Sequence, residues 1–511
     1  MIIDMIQKTD MVDISYVNSS GMIEIENLIL ESGYYGYFEC DEFDKNRLTE
    51  LRSFKGSYVK REPTKYFSHH NINEFLTYDL KNRYKSAYER LSKLIVPNPF
   101  SCDIETDITD EFGYSSAERA ENAILSISFT DINLETIIFV LKNPNQPEFS
   151  VKDEEEIRSV LYDALGDYKN KYPYGFKIRV FDTEIEMLNT CLECVNKYFH
   201  SIFGWYFLMY DWQYIFNRCV RLGINPKKSS PRGRLSKKRV EINDHTHLEF
   251  EIPTHRIIND YIILAKESLV YNQLGDYSLN GFAELVLGLK KVSYSGNLRT
   301  LYRSNFNKFI GYAIVDTILV MLIHKATNLY NVNFFQSYYT NVPYLKISQN
   351  SISEALVYQE LRDSNIFLLE SEKSTEQKRK YQGGYVKPPT KKIVKSVTGE
   401  DFKALYPNGI ISIGISPEKK IDSIKVNANG WPLTEKDDRI WESYKAQGFT
   451  LSPMGRIYDA REDGLYVRIE KKLLNQRQIF KDHAEDIYLN IIPKLEVEIK
   501  RRKSSPSTPS N

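Results

Sequence analysis

Two carboxylates two residues apart, Asp103 and Glu105, stand in a stretch, Ser101-Cys102-Asp103-Ile104-Glu105-Thr106, that reads as a strand. Residues two apart on a strand project from the same face, so the pair can share metal ions. Two divalent cations about 4 Å apart stabilise the attacking and leaving oxygens of an in-line phosphoryl displacement, and hard oxygen ligands suit magnesium or manganese. A DxE by itself also arises on exposed strand faces with no such role. Asp211 is the one acid in the run from Gly204 to Arg218 and introduces a helix, where it can equally serve as an N-cap. Tyr312 precedes Asp316 by four residues in a helical pattern that continues to Lys325, which puts both on one face. There a tyrosine can orient an attacking water while the aspartate holds metal; the bland alternative is a buried tyrosine beside an incidental acid.

Arg477 and Lys481 form a second spaced pair, i and i+4, beside an apolar stripe of Ile469, Leu473, Phe480 and Ile487. Such a pair can clamp a triphosphate, or it is a solvated basic flank. Cys191 and Cys194 form a CxxC without a second pair, and the helical spacing of Thr183–Phe199 makes them core-facing cysteines with no metal assigned.

The elements that must position these residues belong to a chain of 511 residues, more than one hydrophobic core usually serves. Hydrophobic residues make up 42% of it, and no uncharged apolar run approaches the roughly 18 residues of a membrane span, so no membrane partner is expected. The first residues lack the pattern of a secretory signal, and five cysteines suit a reducing compartment, which together predict a cytoplasmic protein. Formal net charge is zero, against the strong basicity of a general nucleic-acid coat, although acids that hold metal offset basic residues along a DNA path. Basic clusters do occur, at Lys227–Lys238, at Lys378–Lys380 with Lys387, Lys391 and Lys392, and from Arg468 to Lys503.

Alternating segments at 22–30 and 34–39, followed by a helical 71–95, predict a small α+β domain over 1–99. From Phe100 the pattern becomes strand, loop, strand, helix, with SCDIET, ILSISFT and TIIFVL followed by a helix near Asp182–His200, as an α/β nuclease core over 100–335 requires. A connector at 336–380 contains the charged stretch Ser371–Lys380; a third region over 381–464 precedes a long helix at about 466–491, which Pro493 should end or kink. Residues 504–511 read as a disordered polar tail.

Taken together, Asp103 and Glu105, Asp211, and Tyr312 with Asp316 resemble the three exonuclease motifs of family B DNA polymerases in order and spacing. The closest likeness is to the replicative polymerases of T-even-type phages, whose second motif is a GWN…FD…PYI…NR string. Gly204-Trp205, Tyr210 before Asp211, Tyr214-Ile215 and Asn217-Arg218 keep it, while Tyr206 replaces the family's Asn and Gln213 its Pro. Segments 257–264 and 277–284 are similar as well. Farther on, Asp401-Phe402-Lys403-Ala404-Leu405-Tyr406-Pro407-Asn408 resembles polymerase motif A, DxxSLYPS, continued by Ile415-Ser416-Pro417-Glu418. Ala404, Asn408 and Gly409 depart from that pattern without removing a metal ligand. Tyr381-Gln382-Gly383-Gly384 looks like the YxGG/A element that contacts template, and Gln476-Arg477 matches the start of a fingers helix.

The resemblance implies a multidomain α+β and α/β chain: an N-terminal α+β domain, an RNase H-like (DnaQ-like) exonuclease domain, a partial polymerase palm, and a first fingers helix over 465–503. It implies Asp103, Glu105, Asp211 and Asp316 as ligands of two Mg2+ or Mn2+ ions, with Tyr312 beside them. Asp401 would be a polymerase metal ligand. Leu405, Tyr406, Arg477 and Lys481 would bind nucleotide, with Tyr406 as the gate under the sugar, and Tyr381, Gly383 and Gly384 would bind DNA.

The family's KxxxNSxYG helix and DTD turn do not occur before Asn511. One aspartate cannot complete a two-metal polymerase site. The reading is therefore the N-terminal subunit of a split replicative polymerase that proofreads 3′→5′ and supplies motif A to a site completed by a second polypeptide. Its partners would be single-stranded DNA, primer-template and, once completed, dNTP, in the host cytoplasm if phage-encoded. A free-standing 3′→5′ exonuclease and a non-catalytic DNA-binding assembly protein are the alternatives.

Overall fold

The computed structural model describes residues 1–7, 11–30, 34–39, 52–53, 58–64, 76, 80–91, 93–108, 113–146, 148–166, 168, 175–243, 246–268, 270–293, 296–364, 366–367, 398–495 and 497. The chain divides into two units, one of 1–33 with 73–352 and one of 34–72 with 353–511.

The first unit begins with an antiparallel sheet of β1 (Ile2–Gln7), β2 (Met11–Val17) and β3 (Ile23–Ile29). Its centre is a six-stranded mixed sheet of β4 (Phe100–Thr106), β5 (Ile124–Asp131), β6 (Glu135–Leu141), β7 (Gly175–Phe181), β8 (Ser201–Gly204) and β11 (Ile257–Asp260), in the order β7-β6-β5-β4-β8-β11. A separate hairpin joins β9 (Leu235–Asn243) to β10 (Thr246–Pro253). The pairs β4–β5 and β5–β6 are antiparallel, and β6–β7, β4–β8 and β8–β11 are parallel. The three expected strands form, but a helix over Val151–Leu165 and the strand β7 precede the expected next helix, which forms over Glu184–Lys197.

Both faces of this sheet are covered, which explains why its central strands read as nearly continuous apolar runs. Ile104, Ile127 and Phe129 pack with α2 (Glu184–Lys197) and α3 (Asp211–Arg221), where Cys191 and Cys219 are buried and Cys194 is half-buried. The opposite face is covered by α6 (Phe306–Thr327), which packs against β4 and β5, against α1 (Val151–Leu165) and against α5 (Leu279–Leu287). A short α4 (Tyr261–Glu267) follows β11. By length and composition α6 could cross a membrane, but 89% of its apolar window is buried inside the unit, so it is a core helix. Side-chain caps fix where helices start: Ser150 and Asp153 form a capping box on α1, and Thr183 caps α2.

The N-terminal sheet is tied to the large one through His200. Its Nδ1 accepts the Ile23 N–H at 2.9 Å, so Nε2 carries the proton, facing Lys197 O at 3.0 Å. Burial first, then Arg256, lowers this imidazole to about 4, and burial does the same to His324. An unfolded histidine near 6.5 therefore binds protons that the folded ring refuses, so the stability it contributes is present above pH 6.5 and is lost as pH falls toward 4. We expect His200 to account for roughly 2 kcal/mol of the stability lost between pH 7 and 4.5. Denaturant melts of His200→Asn, which keeps an acceptor for Ile23, should show a flatter acid limb; an unchanged limb contradicts this assignment.

In the second unit, the strand Tyr34–Glu39 pairs antiparallel with Val59–Thr64, and Arg52–Ser53 pairs with Ile366–Phe367. A three-stranded sheet of β12 (Lys420–Ser423), β13 (Thr450–Leu451) and β14 (Arg456–Tyr458) accompanies α7 (Leu405–Ile413) and the 22-residue α8 (Leu465–Asp486). Pro493 does not end the long helix. The turn ahead of it widens to a π-helix over Ile487–Ile491, an accommodation suited to a residue with no N–H to give, and helix resumes through Leu495.

Candidate active site

Asp103 lies opposite Ser128 and Glu105 opposite Ser126 across the antiparallel β4–β5 pair, so all four side chains lie on one face, the face that α6 covers. Hydroxyls lock α6 in place there. Ser101 Oγ donates to Thr317 O at 2.8 Å, Thr317 Oγ1 is 2.7 Å from Thr130 Oγ1, and Thr130 Oγ1 is 2.8 Å from Thr136 Oγ1. These bonds fix the helix one residue from Asp316 and deliver that acid to β4. One carboxylate oxygen each from Asp103, Glu105 and Asp316 lies within 4.8 Å of the others.

Like charges withdrawn from water resist ionisation. Burial, with Asp316 adding to it, raises Asp103 to about 7. Glu105 is pushed well above the carboxylate range by burial and then by Asp103 and Asp316. Burial also raises Asp316, while Lys291 and a hydrogen bond from Tyr312 hold it back. Lys291 is the counter-charge: its Nζ is 2.6 Å from Asp316 Oδ2 and 5.4 Å from the Tyr312 ring centroid. Burial alone would lower its pKa, but Asp316, Asp103 and Glu105 raise it above the ordinary lysine value, so it stays charged.

Asp211 begins α3 beside this group but outside the three converging acids. Its Oδ1 accepts the Ile104 N–H at 3.1 Å, and burial and Asp103 raise its carboxyl well above the usual range. Asp316 Oδ1, Ser126 Oγ and Ser128 Oγ are buried with no hydrogen-bond partner among the described residues. Unspent hard oxygen acceptors within an acidic cluster fit a hard divalent cation such as Mg2+ or Mn2+. The cluster can coordinate one.

Residues 60–281 match the family model described as DNA polymerase family B, exonuclease domain, and 392 residues are 26% identical to the DNA-directed DNA polymerase of Escherichia phage RB69. The chain carries a homologue of the family B polymerase exonuclease domain. The RB69 match covers 75% of this chain and 42% of that protein. A DNA-directed DNA polymerase of Enterobacteria phage T4 is 26% identical over 77% of this chain and 43% of its own length, and a Thermococcus hydrothermalis DNA polymerase is 24% identical over 64% and 19%. The chain thus spans less than half the length of these curated relatives.

Within the exonuclease domain, the residues following Asp211 build its frame. Tyr214 OH donates to Asn122 O at 2.9 Å and Asn217 Nδ2 to Ala117 O at 2.9 Å, binding the loop that leads into β5. Arg218 meets Glu184 through two bonds, Nε to Oε1 at 2.8 Å and Nη2 to Oε2 at 2.7 Å, and its Nη1 donates to Glu121 O at 2.7 Å. Both side chains are 10% exposed. Arg218→Ala would leave the Glu184 carboxylate without its counter-charge, with the Ile124 N–H still on Oε1 at 2.8 Å, and we expect a loss of about 3 kcal/mol of stability, read by denaturant melts. Arg218→Ala with Glu184→Leu should recover much of it; equal instability of both variants would contradict the ion-pair account.

Residues expected for a polymerase site lie in the second unit. Asp401 is exposed, Ala404 has φ 49°, and α7 starting at Leu405 buries none of its side chains, leaving Tyr406 84% exposed. Arg477 and Lys481 are exposed on α8. Ser416 and Glu418 have a structural task, accepting the N–H groups of Tyr466 and Leu465 at the start of α8. Tyr381, Gly383 and Gly384 lie outside the described residues. Sequence reasoning missed Lys291, which sits on a loop: α5 ends at Gly288 with φ 69°, and Asn280 Oδ1 then accepts the Lys291 N–H at 3.0 Å. Its only sequence signal is a Lys-Lys pair just beyond a helix-ending glycine. Ser126 and Ser128 were missed too, although a strand spaced two by two opposite the DxE could have pointed to them.

Proposed function

We propose that the chain removes nucleotides from 3′ ends of single-stranded DNA, and that its second unit supplies Asp401 to a DNA-templated polymerase site completed by a second polypeptide. The observation that carries the first half is the convergence of one carboxylate oxygen each from Asp103, Glu105 and Asp316 within 4.8 Å of one another. When held there with Asp211 alongside, two Mg2+ or Mn2+ ions would supply charge stabilisation to the attacking and leaving oxygens of a phosphodiester. The protein's own groups prepare that chemistry. Lys291 offsets the acids' charge and offers a cation to the phosphate; Tyr312, on the same face of α6, holds Asp316 by hydrogen bond and can turn its hydroxyl toward the attacking water. Hydrolysis of a 5′-labelled single strand tests this reading: shortening from the 3′ end that requires Mg2+ or Mn2+ supports it, and a strand left intact overturns it.

The second half draws support from uncovered apolar surface. Besides Tyr406, Phe402 is 74% exposed, and the distal part of α8 with the turn after it shows Phe480 at 69% and Tyr488 at 70%. Large apolar side chains left this exposed suit an interaction site. Its occupant in this reading is the chain bearing the rest of palm, fingers and thumb, with Tyr406 under the incoming sugar, Leu405 beside it, and Arg477 and Lys481 on the triphosphate of the dNTP. Tyr381, Gly383 and Gly384 would touch the primer-template. The assembly would work in the cytoplasm, on replicating DNA.

A further inference from the structure

The register of β5 sets three hydroxyls in a column on the face that carries the acids: Ser126 opposite Glu105, Ser128 opposite Asp103 and Thr130 opposite Ser101. Thr130 is already engaged. Its Oγ1 lies 2.7 Å from Thr317 Oγ1 on α6 and 2.8 Å from Thr136 Oγ1 on β6. The other two are not. Ser126 and Ser128 are 0% and 1% exposed, and neither Oγ has a hydrogen-bond partner among the described residues. A buried hydroxyl left unpaired carries a cost that alanine in its place would avoid, so the arrangement calls for an acceptor.

The neighbours across the sheet say which acceptor it is. On one side, across the β5–β6 pair, Ser126 faces Val140 and Ser128 faces Ile138, both apolar and 0% exposed. Neither side chain can accept a proton. On the other side the opposed residues are Glu105 and Asp103. Directly opposed side chains of an antiparallel pair have Cβ atoms about 5 Å apart, and from there a turn about χ1 carries a serine hydroxyl toward a carboxylate. Each β4 acid therefore has one hydroxyl of its own.

We propose that Ser126 and Ser128 are positioning residues that donate to Glu105 and Asp103, respectively, when those carboxylates hold metal, an inference that rests on the exonuclease reading and deepens it. An ionised carboxylate offers about four acceptor sites, more than metal ligation fills. A hydroxyl on one of the rest fixes the rotation of the group and stabilises its negative charge. The serines touch neither substrate nor reacting atoms. They act through the β4 pair, whereas Asp316 is held by Lys291 and Tyr312 instead.

The test titrates Mn2+ into the full chain and reads the free ion by electron paramagnetic resonance, beside melts of the same proteins in chelator. Ser126→Ala and Ser128→Ala should each bind Mn2+ about tenfold more weakly than wild type, and the double variant more weakly than either. None of the three should melt below wild type, because no bond is lost when the metal is absent. Ser128→Thr, which keeps a hydroxyl as Thr130 does next in the column, should hold Mn2+ as wild type does. Alanine variants that keep wild-type affinity overturn the proposal, as does a folded Ser128→Thr as weak as Ser128→Ala. Weaker binding accompanied by a lower melt overturns it too, by making the serines packing residues. The two ideas separate cleanly: wild type that holds no Mn2+ removes the metal reading and this proposal together, and wild type that holds it no better than the alanine variants removes this proposal alone.

Discussion

Replacing Asp103 and Glu105 together with alanine should abolish 3′ hydrolysis, lowering the single-turnover rate by at least about 10³-fold, since a metal's stabilisation of the transition state is worth several kcal/mol. Two of the three converging acids would be gone, leaving Asp316 paired with Lys291. The same change should not unfold the protein. Asp103 and Glu105 repel each other and Asp316 in a site removed from water, so their loss relieves an unfavourable interaction, and the variant should melt no lower than wild type in chelator. Undiminished hydrolysis by a folded variant would place the nuclease site elsewhere.

The second large effect concerns the other unit. If Asp401 is the one polymerase metal ligand this chain supplies, as proposed, the chain alone should not extend a primer, because polymerase chemistry needs a pair of metal-holding carboxylates. Mixed with a polypeptide carrying the KxxxNSxYG and DTD elements, it should extend. In that mixture Asp401→Ala should block extension while leaving 3′ degradation at the wild-type rate, since the exonuclease acids all lie in the first unit. Extension by the purified chain alone would show that its polymerase site is completed within these residues; failure of every mixture, with degradation intact, would leave a free-standing exonuclease.

Much of the nuclease core was legible because its signals are local. The runs that became β4, β5 and β6 are short, apolar and bounded by turns, and both the i,i+2 spacing of Asp103 and Glu105 and the i,i+4 spacing of Tyr312 and Asp316 survive folding unchanged. What stayed hidden depends on distant partners. Nothing near Ile23 announces that its N–H will bond His200, which draws the first strands into one unit with the nuclease core. Asp211 was grouped with the other metal acids, but its Oδ1 bond to Ile104 and its place at the start of α3 set it just outside the converging three. Lys291 reaches Asp316 only through the turn after α5, whose direction no periodicity encodes. Pro493 was expected to end or kink its helix; the helix does not end there, and a π-turn over Ile487–Ile491 precedes the proline.

Asp103, Glu105 and Asp316 should hold divalent metal for hydrolysis of a DNA 3′ end. Titration of Mn2+ into the chain with a non-hydrolysable single strand, read by electron paramagnetic resonance of the free ion, tests it without relying on turnover. Wild type should deplete free Mn2+ in proportion to protein, and the folded Asp103→Ala, Glu105→Ala variant should deplete none at the same concentrations. Equal depletion by both proteins would contradict the account.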